Sequence, residues 1–299
     1  MTLTIEAVPG SAPGSVTIDD TGFTGANQGI ITNNSSLTVN GLVLKGAATA
    51  PGFGNNAGAI RDHSSSSLTV LNSILEDSQN GILTDDPTRA EQITVKGSTF
   101  LQDGFGDGQT HALYVGGALS LDVEASVFCG TNNGHDVKSR ATTTTVSGST
   151  MYIGATGPGC AVAGSTGAGV DLPNGGVADL ENDSLIQGGA NMNGALVIVG
   201  GESPLLAINS LTINNSNLEG DGNPASIGVN ELSGCIAPVQ GSGNTVTNLG
   251  TTISPAGCGT LGTVSAVDEP SPFWLLLTAL GGAGWMAAQR RRYHRAIQG

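Results

Sequence analysis

The stretch Leu68-Thr69-Val70-Leu71-Asn72-Ser73-Ile74-Leu75 returns 25 residues later as Ile93-Thr94-Val95-Lys96-Gly97-Ser98-Thr99-Phe100, and after a further 28 as Leu121-Asp122-Val123-Glu124-Ala125-Ser126-Val127-Phe128. Each copy opens with apolar–polar–apolar alternation, the period of a strand with one buried face. Outward from these copies, the same apolar pair recurs as Leu37/Val39, Thr144/Val146, Ala178/Leu180 and Leu211/Ile213. Seven rows thus fall in register, at spacings of 31, 25, 28, 23, 34 and 33 residues. Five residues after the second member comes an apolar residue in every row: Leu44, Leu75, Phe100, Phe128, Met151, Leu185 and Leu218. Two residues before it stands Ser in five rows, at 73, 98, 126, 149 and 216.

Gly, Asn, Asp and Ser punctuate these rows too often for any helix. Short strands and tight turns repeating about every 28 residues suit a parallel β-helix, in which each coil stacks on the one before. A β-sandwich has no reason to keep a fixed repeat. A later strand in each row supplies a second apolar column: Ile60, Ile82, Leu113, Val137, Val170, Leu196 and Ile227.

The expected fold is all-β: a single-stranded right-handed parallel β-helix (a solenoid) over residues 30–260. Before it, residues 1–29 hold coil fragments such as Leu3-Thr4-Ile5 and Val16-Thr17-Ile18. After it, residues 261–299 read as a linker, a short C-terminal hydrophobic helix and a basic tail. The Gly/Ala/Ser-rich insertion Gly154–Gly167 reads as a surface loop.

Glycine accounts for 47 of 299 residues, charged residues for 11% and aromatics for 4%. That composition excludes coiled coils and helical bundles, and glycine has no collagen period. The formal charge is −14, yet Arg290, Arg291, Arg292 and Arg295 lie in the last ten residues. Residues 1–267 therefore hold 6 basic and 22 acidic side chains, a net of −16. Such a surface repels nucleic acid, so no nucleic-acid partner is expected.

Residues 271–289 carry no charge, and the apolar run Phe273–Ala288 is followed at once by the arginines, which set a cytoplasmic end. Together with Asp268-Glu269-Pro270-Ser271, this tail resembles the PEP-CTERM sorting signal, departing from it at Asp268, where Pro is usual. The resemblance implies an exported chain. Its precursor would pass through the inner membrane by residues 273–289, meet an exosortase-type processing protease, and end at the cell surface or outside the cell. Met1–Gly29 has neither the basic start nor the apolar run of a secretory signal, so either the true start lies upstream of Met1 or the chain is not exported. The four cysteines agree with export and allow three pairings. Cys129 and Cys160 fall in adjacent rows and Cys235 and Cys258 flank the last turns, so these two pairs are preferred. No CxxC spacing or histidine set suggests a metal held by sulfur.

Stacking turns columns into neighbours about 4.8 Å apart. The residue after each member of the second apolar column points outward: Arg61, Leu83, Tyr114, Lys138, Asp171 and Val197. Two positions further on come His63, Asp85, Gly116, Arg140 and Pro173. This strip gathers three of the six cations of the body. The segments Gly134-His135-Asp136-Val137-Lys138-Ser139-Arg140-Ala141 and Asp171-Leu172-Pro173-Asn174-Gly175-Gly176 lie along it. On these two segments, the run from Gly58 to Glu202 resembles bacterial right-handed parallel β-helix repeat proteins of the pectate-lyase-like class. That class is best known for enzymes acting on acidic polysaccharides, which implies a polysaccharide partner; no catalytic assignment comes with the resemblance.

β-Elimination from a uronate needs a base, an acid for the leaving oxygen and a cation on the carboxylate. Lys138 is the candidate base if its pKa is lowered, Tyr114 the acid, and Arg140 or Arg61 the neutraliser. Arg61, His63, His111, His135, Asp136 and Asp171 are candidate substrate contacts. The alternative reading of the strip is structural: Lys138–Asp171 as an inter-coil salt bridge beside Tyr114, and His111 and His135, aligned with Asn80, as a ladder satisfying turn backbone. Asp103-Gly104-Phe105-Gly106-Asp107-Gly108 resembles part of a calcium loop but lacks the distal bidentate acid, so the expectation is no cofactor, with Ca2+ at this loop as the alternative. The expected function is recognition of an acidic polysaccharide, with or without cleavage. The alternative is a non-catalytic structural or adhesive surface protein.

Overall fold

The computed structural model describes residues 2–8, 11–12, 14–22, 29–50, 54, 57–85, 90–105 and 109–264. The C-terminal hydrophobic stretch, the arginines and the PEP-CTERM-like tripeptide lie outside the described residues. Among those described there is no helix, and twenty-seven short strands form three parallel sheets of nine. Strands follow one another in the order first, second, third sheet, and each hydrogen-bonds to its counterpart one coil away. This is a parallel β-helix of nine coils.

The register matches the apolar columns. In the first sheet Leu37, Leu68, Ile93, Leu121, Thr144, Ala178 and Leu211 pair in succession. In the second, Leu44, Leu75, Phe100, Phe128, Met151, Leu185 and Leu218 do the same. All but one are hydrophobic and all are almost fully buried. Phe100 and Phe128 stack with centroids 4.7 Å apart. Burying one such side chain favours folding by about 2 kcal/mol, so the stacked columns supply most of the driving force.

The corner between first and second sheets is made by one residue in the left-handed region, φ 47° at Asn72 and 59° at Gly97. The column reads Gly41, Asn72, Gly97, Ala125, Gly148, Asn182 and Asn215, residue types that tolerate this conformation except for Ala125. The serines follow directly and turn inward. The Ser98 hydroxyl accepts from the Ser73 N–H (3.2 Å) and donates to the Lys96 carbonyl (3.1 Å), and Ser126 and Ser216 repeat the pattern. Asp183 and Asn244 take the serine's place in their coils, accepting from Ser149 N–H and Ser216 N–H. The ladder thus satisfies corner N–H groups that the sheets leave unpaired.

Three details differ from expectation. The third-sheet column continues from Val170 to Val197 and Val229, not to Leu196 and Ile227, so Ile198 rather than Val197 lies beside Asp171. The run Ala195-Leu196-Val197-Ile198-Val199 is apolar in both phases, so alternation does not select one. The fragments Thr2–Glu6 and Val16–Asp19 pair with Ser36–Asn40 and Leu42–Lys45, and with Gly29–Asn33 they complete one full coil. The insertion 154–167 is more than a surface loop. It folds back on the outer face of the second sheet, burying Ala155, Cys160 and Thr166, with the Tyr152 hydroxyl donating to the Pro158 carbonyl (2.8 Å).

Both preferred disulfides are present. Cys129–Cys160 fastens the insertion, and Cys235–Cys258 ties the last coil to the segment that closes it, where Leu261 is buried.

Candidate functional site

The site is built on the outer face of the third sheet, from strands Leu113–Val115, Val137–Ser139 and Val170–Leu172. Register sets Tyr114 beside Lys138 and Lys138 beside Asp171. The turn before the middle strand depends on Gly134, where a Cβ would lie 1.7 Å from the Thr110 carbonyl oxygen. That close approach lets the His135 ring stack on His111, with centroids 5.2 Å apart and planes within 7°. The ladder expected at these turns is present: the His111 N–H donates to Asn80 Oδ1 (2.9 Å), and the His135 N–H donates to His111 Nδ1 (3.0 Å). Burial holds the His111 pKa well below the usual histidine value, with His135, Lys138 and Arg140 adding to the effect. Burial also lowers that of His135, although Asp171 opposes it.

The rings continue outward. Tyr114 stacks on His111 at 5.6 Å, and the Arg140 guanidinium lies 5.2 Å from the Tyr114 centroid, within cation–π range. Lys138 Nζ reaches Asp171 Oδ2 at 3.3 Å and Glu202 Oε1 at 2.9 Å, while Arg140 Nη2 pairs with Glu202 Oε2. Burial disfavours the Lys138 cation, but Asp171 and Glu202 outweigh it and raise the pKa above the usual lysine value. A lysine held in this state is a charge donor. It does not meet the condition for a general base, which requires a lowered pKa.

Glu202 is the member of the cluster that sequence reasoning missed. It stands in the loop after Ala195–Val199, where the column assignment was one residue out of phase. One signal was available: Glu202 is the only charged residue between Asp183 and Glu219. In the fold its N–H donates to the carbonyl of Pro173, a residue of the outward strip (2.8 Å). The loop is anchored over the Asp171–Gly176 segment by Leu206 N–H to the Asn174 carbonyl (2.9 Å), Asn174 Nδ2 to the Pro204 carbonyl (2.8 Å) and Gly176 N–H to Asn209 Oδ1 (2.8 Å). Gly175 fits this packing because a Cβ there would lie 2.1 Å from Asn209 Oδ1. Between the loop and the sheet lies a cleft of about 340 Å³ lined by Arg140, Asn174, Glu202, Ser203, Pro204 and Leu206.

The remaining candidates lie elsewhere. Arg61 and His63 form a second cluster around Asp85, with Arg61 Nη2 2.8 Å and His63 Nδ1 3.0 Å from its carboxylate, and Arg61 Nη1 donating to the Leu83 carbonyl at 3.1 Å. None of the three lines the cleft. Asp136 points into the coil with no exposed surface, accepting from the Thr131 hydroxyl at 2.6 Å. Asp103 is likewise fully buried and accepts from the Ser78 N–H at 3.0 Å, while Asp107 lies outside the described residues. The geometry brings Tyr114, Lys138, Arg140, His111, His135 and Asp171 together with Glu202 and leaves Asp136 and the Arg61 pair apart. Comparison with protein-family models, with curated proteins and with solved structures returns no match for this chain.

Proposed function

We propose that the chain is a right-handed β-helix of the pectate-lyase-like class that recognises a polysaccharide, of acidic type, at the cleft beside Arg140 and Glu202. The observation carrying this reading is the concentration of Tyr114, Lys138, Arg140, Asp171 and Glu202 in one cluster, of which Arg140 and Glu202 line the cleft, in a body with only six basic residues. Ion-paired Arg, Lys and carboxylate groups present rigid donors and acceptors at fixed angles, which suits sugar hydroxyl and carboxylate groups. Recognition is favoured over β-elimination because Asp171 and Glu202 hold Lys138 as a cation, the opposite of what a general base needs. The PEP-CTERM-like tail, the disulfides and the acidic surface support export to the cell surface or matrix, by way of an inner-membrane precursor processed by an exosortase-type protease.

The rival, a purely structural surface protein, draws on the same ion pairs. The K138A/R140A double variant on a glycan array separates the two. Recognition is expected to weaken binding about 100-fold with the β-sheet circular dichroism unchanged. Retention of every glycan contact together with a lower melting temperature makes the strip structural.

A further inference from the structure

Every basic side chain of the body within the described residues already holds a carboxylate. Lys45 pairs with Glu76 at 3.1 Å and Asp77 at 3.0 Å, Lys96 with Glu124 at 2.7 Å, and Arg61 with Asp85. Lys138 holds both Asp171 and Glu202, and Arg140 holds Glu202. Among the described residues an anionic ligand therefore meets no open cation, and to reach Lys138 or Arg140 it has to take the place of a carboxylate.

The carboxylates held by Lys138 and Arg140 differ in what leaving would require. Asp171 sits on strand Val170–Leu172 with its side chain 7% exposed, so it withdraws only if the strand moves. Glu202 is 42% exposed on a loop and withdraws by rotating its own side chain into water. Its two oxygens each face a different cation, Oε1 toward Lys138 and Oε2 toward Arg140, the arrangement a free carboxylate would adopt between them. The loop backbone is held by the Pro173, Asn174 and Asn209 hydrogen bonds whether or not the ion pairs form. The cleft opens beside this carboxylate.

We infer that Glu202 occupies the place of a ligand carboxylate, and that a uronate-bearing chain binds by displacing it from Lys138 and Arg140. This rests on the proposed polysaccharide recognition and adds the acidic class and the means of admission. Exchanging one carboxylate for another leaves both cations paired throughout, so no buried charge is stranded. The tethered Glu202 competes at high effective concentration and lowers the apparent affinity by the fraction of time it is bound.

The test is isothermal titration of the wild type, E202Q, E202A and R140A with an oligogalacturonate and with its carboxyl-reduced, neutral counterpart. E202Q and E202A are expected to bind the oligogalacturonate about tenfold more tightly than the wild type, with no gain for the neutral oligomer. R140A is expected to lose the interaction. If R140A abolishes binding while both Glu202 variants bind no better than the wild type, Glu202 is a ligand contact or a staple and the displacement idea fails alone. If R140A binds as the wild type does, or if no variant binds either oligomer, the polysaccharide reading fails and displacement falls with it.

Discussion

Carboxylates inside the coil and carboxylates on the outer face of the third sheet are the same groups in opposite circumstances. Inside, Asp103, Asp136 and Asp183 accept hydrogen bonds from uncharged donors, the Ser78 N–H, the Thr131 hydroxyl and the Ser149 N–H. Each has a second oxygen without a hydrogen-bond partner among the described residues. Burial pushes all three pKa values up, that of Asp183 to about 7. Outside, Asp85, Asp171 and Glu202 lie against Arg61, Lys138 and Arg140. Burial raises the Glu202 pKa too, but hydrogen bonds from Lys138 and Arg140 more than reverse it, leaving the value below that of a free glutamate. Asp103 and Asp183 tie neighbouring coils through backbone N–H groups and Asp136 braces its own turn through the Thr131 hydroxyl, whereas the outer carboxylates hold cations at a defined place. The first job asks only for an acceptor, and the second needs the charge.

The largest effect follows from the inner set. Asp183 titrates at a higher pH folded than unfolded, so its contribution to stability is fully present below about pH 4 and is lost as pH rises toward 7. The swing is on the order of 4 kcal/mol. D183N keeps the acceptor for Ser149 N–H, as Asn244 does for Ser216. It is expected to raise the melting temperature at pH 8 and change it little at pH 4. A wild-type melting temperature that is flat between these pH values, with D183N no more stable at pH 8, would break the contrast between inside and outside.

A smaller effect divides the outer face itself. R61A removes a cation from a cluster that does not line the cleft and leaves the partly buried Asp85 carboxylate with one close cationic partner fewer beside His63. Urea unfolding should show a loss of about 1.5 kcal/mol. Titration should give a glycan affinity within about twofold of the wild type, in contrast to R140A. Loss of binding in R61A would extend the site along the whole strip.

The smallest concerns the corner. Ala125 adopts φ 48° where other coils use Gly or Asn. A125G is expected to stabilise by about 0.5 kcal/mol, the relief of a left-handed alanine less the entropy glycine adds to the unfolded chain.

The coil repeat was legible because one buried face imposes alternation on every strand: Leu68-Thr69-Val70 and Ile93-Thr94-Val95 announce both the face and the register. The same rule fails where both phases are apolar, as at Ala195–Val199, and that slip of one residue hid Glu202. Tyr114, Lys138 and Asp171 were found together because stacking converts column into contact. Asp136 was misplaced because a charged residue at a strand entrance gives no sign of being folded inward, where the Thr131 hydroxyl receives it. The Cys129–Cys160 bridge was legible from row adjacency, but the packing of the insertion on the Tyr152 side chain was not, since no local pattern encodes that contact. The loop over the Asp171–Gly176 turn had no periodic signal either, since its anchors are backbone hydrogen bonds.

The functional reading stands on coils stacked so that Arg140 meets a residue 62 positions later, Glu202. Thermal and urea unfolding of R140E, E202R and the R140E/E202R pair tests that contact directly. Each single reversal sets like charges together and should cost stability, while the pair restores attraction and should recover about 1 kcal/mol relative to the sum of the singles. Losses that simply add in the double variant would mean that the two side chains do not meet, and the cleft-side cluster would no longer stand.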